Sequence, residues 1–131
     1  MITSLFASFF GFFYIYIARQ VILVRMKLKV LFGTANSDEL EQIVSAHDNF
    51  SKYTVFFLLL MLILELQDIQ YLFLLVFGSM FFIGRIMHYS AMKKGLSGLP
   101  MRRIGMRFTF MPILLFSVLN LFKFIEQNLK F

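Results

Sequence analysis

The sequence predicts an all-α membrane protein, a four-transmembrane-helix bundle. Three observations carry this. Apolar residues make up 60% of the 131-residue chain, charged residues only 15%, and the mean hydropathy is +0.79, which leaves too little polar surface for a soluble globule of this size. The apolar residues fall into long runs, and a bilayer core about 30 Å thick takes roughly 20 of them per helix, so the length accommodates about four spans. The connections between the runs are short, which leaves no room for a soluble domain of useful size. The expected organisation is a single membrane domain over residues 1–131, with helices at about 2–24, 42–66, 69–92 and 101–124.

The first run, from about Ile2 to Val24, has no basic residues ahead of it and no small-residue cleavage site, so it reads as a retained helix and not a signal peptide. Thr3, Ala7, Gly11 and Ala18 fall close to one helical face, where small side chains allow another helix to approach. Arg19, near the far end of this helix, either snorkels to the interface or faces the bundle interior and a ligand. From Arg25 to Gln42 the chain is polar. Ser37 is an N-cap candidate followed by Asp38, Glu39 and Glu41, which suit the positive end of a helix dipole, so the second helix begins before it enters the membrane.

The most informative stretch is Ser45 to Glu65. It opens with His47, Asp48, Asn49 and Lys52 and then runs without a charge from Tyr53 to Leu64. Helical spacing places Ser45, Asn49, Lys52 and Phe56 on one face, with Tyr53 beside Asn49 and His47 turned away. Only Gln67 to Gln70 separate this helix from the third, so the two are antiparallel neighbours. The third run is apolar until Gly84, Arg85 and His88. A polar loop with Lys93, Lys94, Gly95, Ser97, Gly98 and Pro100 follows, and the last helix begins with Arg102, Arg103 and Arg107. Pro112 lies inside it and predicts a local kink.

The formal charge of +6 would point to nucleic acid in a soluble chain. Here the basic residues sit at segment ends and in loops, and the positive-inside bias accounts for them, so no nucleic-acid partner is expected. The first and third loops carry Arg25, Lys27, Lys29, Lys93, Lys94, Arg102 and Arg103, the second only Asp68. Both basic loops are therefore expected on the cytoplasmic side and both termini opposite.

At 1.5 Å per residue, Arg19, Asn49, Arg85 and Arg107 lie about 24–26 Å from the far ends of their helices. All four helices thus carry polar groups at one depth, and ionisable groups inside a membrane are costly unless they solvate one another or meet a ligand. A pocket lined by Arg19, Arg85, Arg102 and Arg107 suits an anionic, water-soluble ligand; binding of lipid headgroups is the competing use of the same arginines. The chain has no cysteine, so any thiol chemistry needs a thiol brought by a ligand. A metal site from His47, Asp48 and His88 is not expected, because adjacent helical residues point apart. A channel is not expected either, because Tyr53–Leu64 and Tyr71–Ile83 offer no polar path. The Phe and Met residues face lipid or fill helix contacts.

The ordered set Ala46, His47, Asn49, Phe50, Tyr53 and Glu65, then Gly84, Arg85 and His88, then Pro100, Arg102, Gly105 and Thr109 resembles the MAPEG superfamily, the membrane-associated proteins in eicosanoid and glutathione metabolism, and most closely its small bacterial members. The resemblance covers roughly Val21 to Leu121. It implies a homotrimer in a bacterial inner membrane, with glutathione bound between subunits near the cytoplasmic face. It further implies that Arg102 stabilises the glutathione thiolate, that Asn49 orients the tripeptide, and that Arg85 and His88 support the site, with Tyr53, Lys52, Arg19 and Arg107 in the same polar layer. The reaction implied is that of a glutathione transferase or peroxidase acting on a lipophilic electrophile dissolved in the membrane. Where the family pattern has an arginine, a glutamate and, in the eicosanoid enzymes, a tyrosine, this chain has Ser45, Lys52 and Met106. A lysine cannot accept a hydrogen bond from an ammonium group. The alternative function is therefore a non-catalytic membrane binding or scaffold protein that retains the fold with a degenerate glutathione site.

Overall fold

A computed structural model describes residues 1–128. Four helices, α1 (Ile2–Leu28), α2 (Asp38–Glu65), α3 (Tyr71–Met92) and α4 (Leu99–Asn128), are joined by short connections, the last of them a 3-10 turn at Gly95–Gly98. No strand occurs among the described residues. The expected four-helix architecture is observed, with corrected boundaries. α1 extends to Leu28 because Arg25 and Lys27 in its last turn complement the negative end of the helix dipole. It stops at Lys29, which takes the left-handed conformation at φ 56°, while the N–H groups of Lys29 and Val30 bond back to the carbonyls of Met26 and Arg25. α4 begins at Leu99 and not at 101, with Pro100 in its first turn, where a missing N–H costs nothing. It continues past 124 to Asn128, and it passes through Pro112 as one element.

Ser37 caps α2 as expected, its side chain accepting from the Leu40 N–H at 3.4 Å. That sets the start of α2 at Asp38, four residues before the expected 42. α3 starts at Tyr71, two residues after the expected 69, since the chain from Leu66 to Gln70 is used in the turn, where Asp68 has φ 55°.

α1, α3 and the Gly95–Asn128 segment that holds α4 are each long and apolar enough to cross a membrane. α2 differs. Its charge-free run, Tyr53 to Leu64, covers only about 18 Å at 1.5 Å per residue, and α2 packs against all three other helices. Its buried residues, Leu40, Ile43, Ala46, Phe50, Thr54, Phe57, Met61 and Leu64, recur every three or four positions, so a single stripe runs the length of the helix.

Between helices in lipid there is little hydrophobic driving force, and close packing carries the assembly. Phe57 of α2 stacks on Phe81 of α3 with centroids 3.9 Å apart and on Phe116 of α4 at 5.2 Å. Phe10 of α1 meets Phe81 edge-on at 5.6 Å, so one aromatic cluster joins all four helices. α3 and α4 approach each other closely at two glycines. A Cβ on Gly84 would lie 3.0 Å from the Gly105 carbonyl oxygen, and one on Gly105 would lie 2.9 Å from that of Gly84. The small-residue stripe expected on α1 works differently: Thr3 is buried, but a Cβ on Gly11 would meet nothing within 4 Å, and Ala7 is exposed. Phe6 and Phe10 do the packing there instead.

At the end of the bundle away from Arg85, the Glu65 carboxylate accepts from the Ile2 N–H and, at 2.9 Å, from the Thr3 N–H. The last residue of α2 thus caps the first turn of α1. Asn120 of α4 donates to the Leu60 carbonyl of α2 at 3.2 Å and accepts from Gln67 at 3.3 Å.

Candidate functional site

Arg85 is the largest fully buried side chain of the protein, with 1% of its surface exposed. One helix turn after Phe81, it projects from α3 between α2 and α4. Its guanidinium donates to Asn49 Oδ1 at 2.6 Å and to Thr109 Oγ1 at 3.4 Å. The guanidinium carbon lies 5.4 Å from the Tyr53 ring centroid and 5.9 Å from that of Phe50. Among the described residues no carboxylate pairs with it. Neutral oxygens and aromatic faces therefore hold a buried cation, an arrangement that supplies part of the solvation lost on burial. Arg85 is enclosed within the protomer, and its contact is with Asn49 and Tyr53, which it fixes in place. Asn49 is half-buried and has its amide donors uncommitted. Tyr53 also packs against Phe110 of α4 at 5.6 Å.

His88, one turn further along α3, is 1% exposed, and neither ring nitrogen has a hydrogen-bond partner among the described residues. It stands at a close approach of α4: a Cβ on Gly105 would lie 2.9 Å from the His88 backbone nitrogen.

The remaining residues of the expected polar layer lie on the outside. Arg19, Lys52, Arg102 and Arg107 are all exposed. Lys52 reaches Asp48 at 4.0 Å, as an exposed pair one turn apart. Arg107 shares a shallow groove of about 380 Å³ on the α4 surface with Arg102, Arg103, Met106 and Phe110. Arg19 has no partner among the described residues. The single pocket expected from four arginines is thus divided in this chain into a buried Arg85 and three surface arginines. Equal depth along the membrane normal does not fix direction around each helix axis, which turns by about 100° per residue.

Arg102 has a second setting. It lines a groove of about 390 Å³ between α2, the Gly95–Gly98 turn and the start of α4, opposite Asp38, Glu41, Gln42 and Ser45, with Met92, Leu96 and Leu99 as the apolar wall. Neither acid is ion-paired with Arg102 or with any other described residue, so the groove holds opposite charges that do not neutralise one another. The sequence pattern assigns Asp38 and Glu41 to the helix dipole alone. The signal that finds them is the spacing of residues 38, 41, 45, 49 and 52, which continues one α2 face back to its N-terminus.

The MAPEG family model matches residues 3–122. The inner membrane protein YecN of Escherichia coli strain K12 is 27% identical over 121 residues, covering 92% of this chain and 91% of that protein, and YecN of the O6:H1 strain gives the same match. The apolar helices, the ordered set of residues on α2, α3 and α4, and this match over nearly the whole chain agree: the chain is an integral membrane protein of the MAPEG family.

Proposed function

We propose that this protein binds glutathione or a related anionic thiol in the groove at Arg102, on the cytoplasmic side of a homotrimer in a bacterial inner membrane, and presents it to lipophilic electrophiles as a transferase or peroxidase. The observation that carries this is the placement of Arg102 across from Asp38 and Glu41 in one groove with polar Gln42 and Ser45. Its volume lies within the roughly 300–1,000 Å³ of small-molecule sites. Its donor set suits a zwitterion that carries both an ammonium group and anionic ends.

The roles of the chain's own residues follow. Arg102 holds the sulfur as the thiolate, since a nearby guanidinium lowers a thiol pKa, and the thiolate is the nucleophilic form. Asp38 and Glu41 take the ammonium group, a role that Lys52, a cation turned toward Asp48, does not fill. Arg85 pins Asn49 and Tyr53, so the α2 face below the groove is rigid. The open groove beside Leu99, Met106 and Phe110 gives a lipid-dissolved substrate lateral access or receives the neighbouring subunit.

Titration of detergent-purified protein with glutathione tests the reading, with S-methylglutathione as control. A saturable rise in Tm with both ligands and an ultraviolet thiolate signal with glutathione alone is the expected result, and Arg102→Ala should remove the thiolate signal. No Tm shift at millimolar ligand would overturn it. The exposed Lys52 and Ser45 favour one second reading, a non-catalytic binding or scaffold protein. Restoring Ser45→Arg and Lys52→Glu separates the two: gain of thiol binding by the double variant, in a wild-type protein that lacks it, identifies a lapsed site.

A further inference from the structure

The corner between α1 and α2 carries a feature that the thiol groove does not use. Leu31 and Phe32, consecutive residues of the connecting loop, are 85% and 90% exposed. Beside them is a groove of about 360 Å³ lined by Ile22, Arg25, Met26, Lys29, Val30 and Leu31. Arg25 Nη1 donates to the carbonyls of Leu31 and Gly33 at 3.4 and 2.9 Å, so the loop is bent back over the end of α1 and the apolar pair is held beside the cations. Lys27 is neutralised by Glu39 at 3.0 Å. Arg25 and Lys29 have no acidic partner among the described residues, and the left-handed Lys29 lies on the groove side of the helix end.

A helix of 27 residues is about 40 Å long, against about 30 Å of hydrocarbon. Its last turns therefore reach past the depth of the hydrocarbon, which brings Arg25 and Lys29 to the level of the headgroups and leaves Ile22 and Met26 nearer that of the acyl chains. Two unpaired cations, an apolar wall continuous with a membrane span and two exposed loop hydrophobes make one amphiphilic surface. We propose that this corner is a binding site for an anionic phospholipid of the surrounding bilayer, the headgroup phosphate held by Arg25 and Lys29 and the upper acyl chain lying along Ile22 and Met26, with Leu31 and Phe32 anchored in the interface.

The chain contains no tryptophan, so Phe32→Trp supplies a single tryptophan, at the site. The protein is reconstituted in phosphatidylcholine vesicles containing a fixed fraction of phosphatidylglycerol, with bromine carried on the acyl chains of one lipid or the other. The proposal expects blue-shifted emission and several-fold stronger quenching by the brominated anionic lipid at equal bulk fraction. Lys29→Gln, which touches no intramolecular bond, should reduce that preference, and Arg25→Gln combined with it should abolish it while the emission stays blue. Equal quenching by both lipids would overturn the anionic selectivity. Red-shifted, unquenched emission would place the loop in water. Blue but unquenched emission would show that a second copy or another protein covers the corner. Either of the last two results also overturns the proposal.

Discussion

The two ends of the bundle use charged side chains in opposite ways. At one end Glu65 is committed to the backbone of α1, where its carboxylate meets two N–H groups of an open helix terminus. At the other, among the described residues, Arg85 is buried without an acid, His88 is buried without a hydrogen-bond partner, and Arg102 faces unpaired carboxylates across a groove. A charge that completes the fold finds its partner within the chain. Charges without such a partner gather at the end where the thiol site is proposed.

The contrast can be broken at four places. The largest effect is expected at the crossing of α3 and α4. Gly105→Ala puts a methyl within 2.9 Å of the Gly84 carbonyl and of the His88 backbone, neither of which can swing aside, and should cost about 1–3 kcal/mol; a thermal melt in detergent reads this as a clear drop in Tm. Glu65→Ala removes the cap on α1 and should cost about 0.5–2 kcal/mol, with thiol binding unchanged in the glutathione titration. Arg85→Met should do the reverse. It replaces a buried cation by an apolar chain of similar length, so stability should change by less than about 1.5 kcal/mol, while Asn49 and Tyr53 lose their anchor and glutathione affinity falls. A variant that lost stability but kept affinity would show that Arg85 serves the fold alone. The smallest effect is expected for Lys52→Gln. Its pair with Asp48 is 4.0 Å long and exposed on both sides, so the change in stability should stay within about 0.5 kcal/mol.

Much of this is legible in the sequence. The four apolar runs, the Ser37 cap and the tight Leu66–Gln70 turn announce the number of helices and the antiparallel arrangement of α2 and α3. The helix ends are less legible because hydropathy marks the lipid boundary and not the end of the hydrogen-bonded helix: Arg25 and Lys27 look like loop and are the last turn of α1. At the candidate site, depth is readable from residue counts, and Asn49 and Arg85 do meet. Direction is not readable, so depth alone groups Arg19 and Arg107 with Arg85 although they face outward. The role of Glu65 is hidden because its partners are backbone N–H groups 62 and 63 residues earlier, and no local pattern encodes such a contact.

The Glu65 cap also constrains the order in which the protein is made. At a synthesis rate of about 5–20 residues per second, the 63 residues between Ile2 and Glu65 take on the order of 3–12 seconds to translate. During that interval the first turn of α1 is without its Glu65 cap. The cap forms only when α2 has followed α1 as a hairpin. The pair α1–α2, and not α1 alone, is then the smallest unit in which that turn is capped, and loss of Glu65 should loosen the hairpin while the ribosome is still at work.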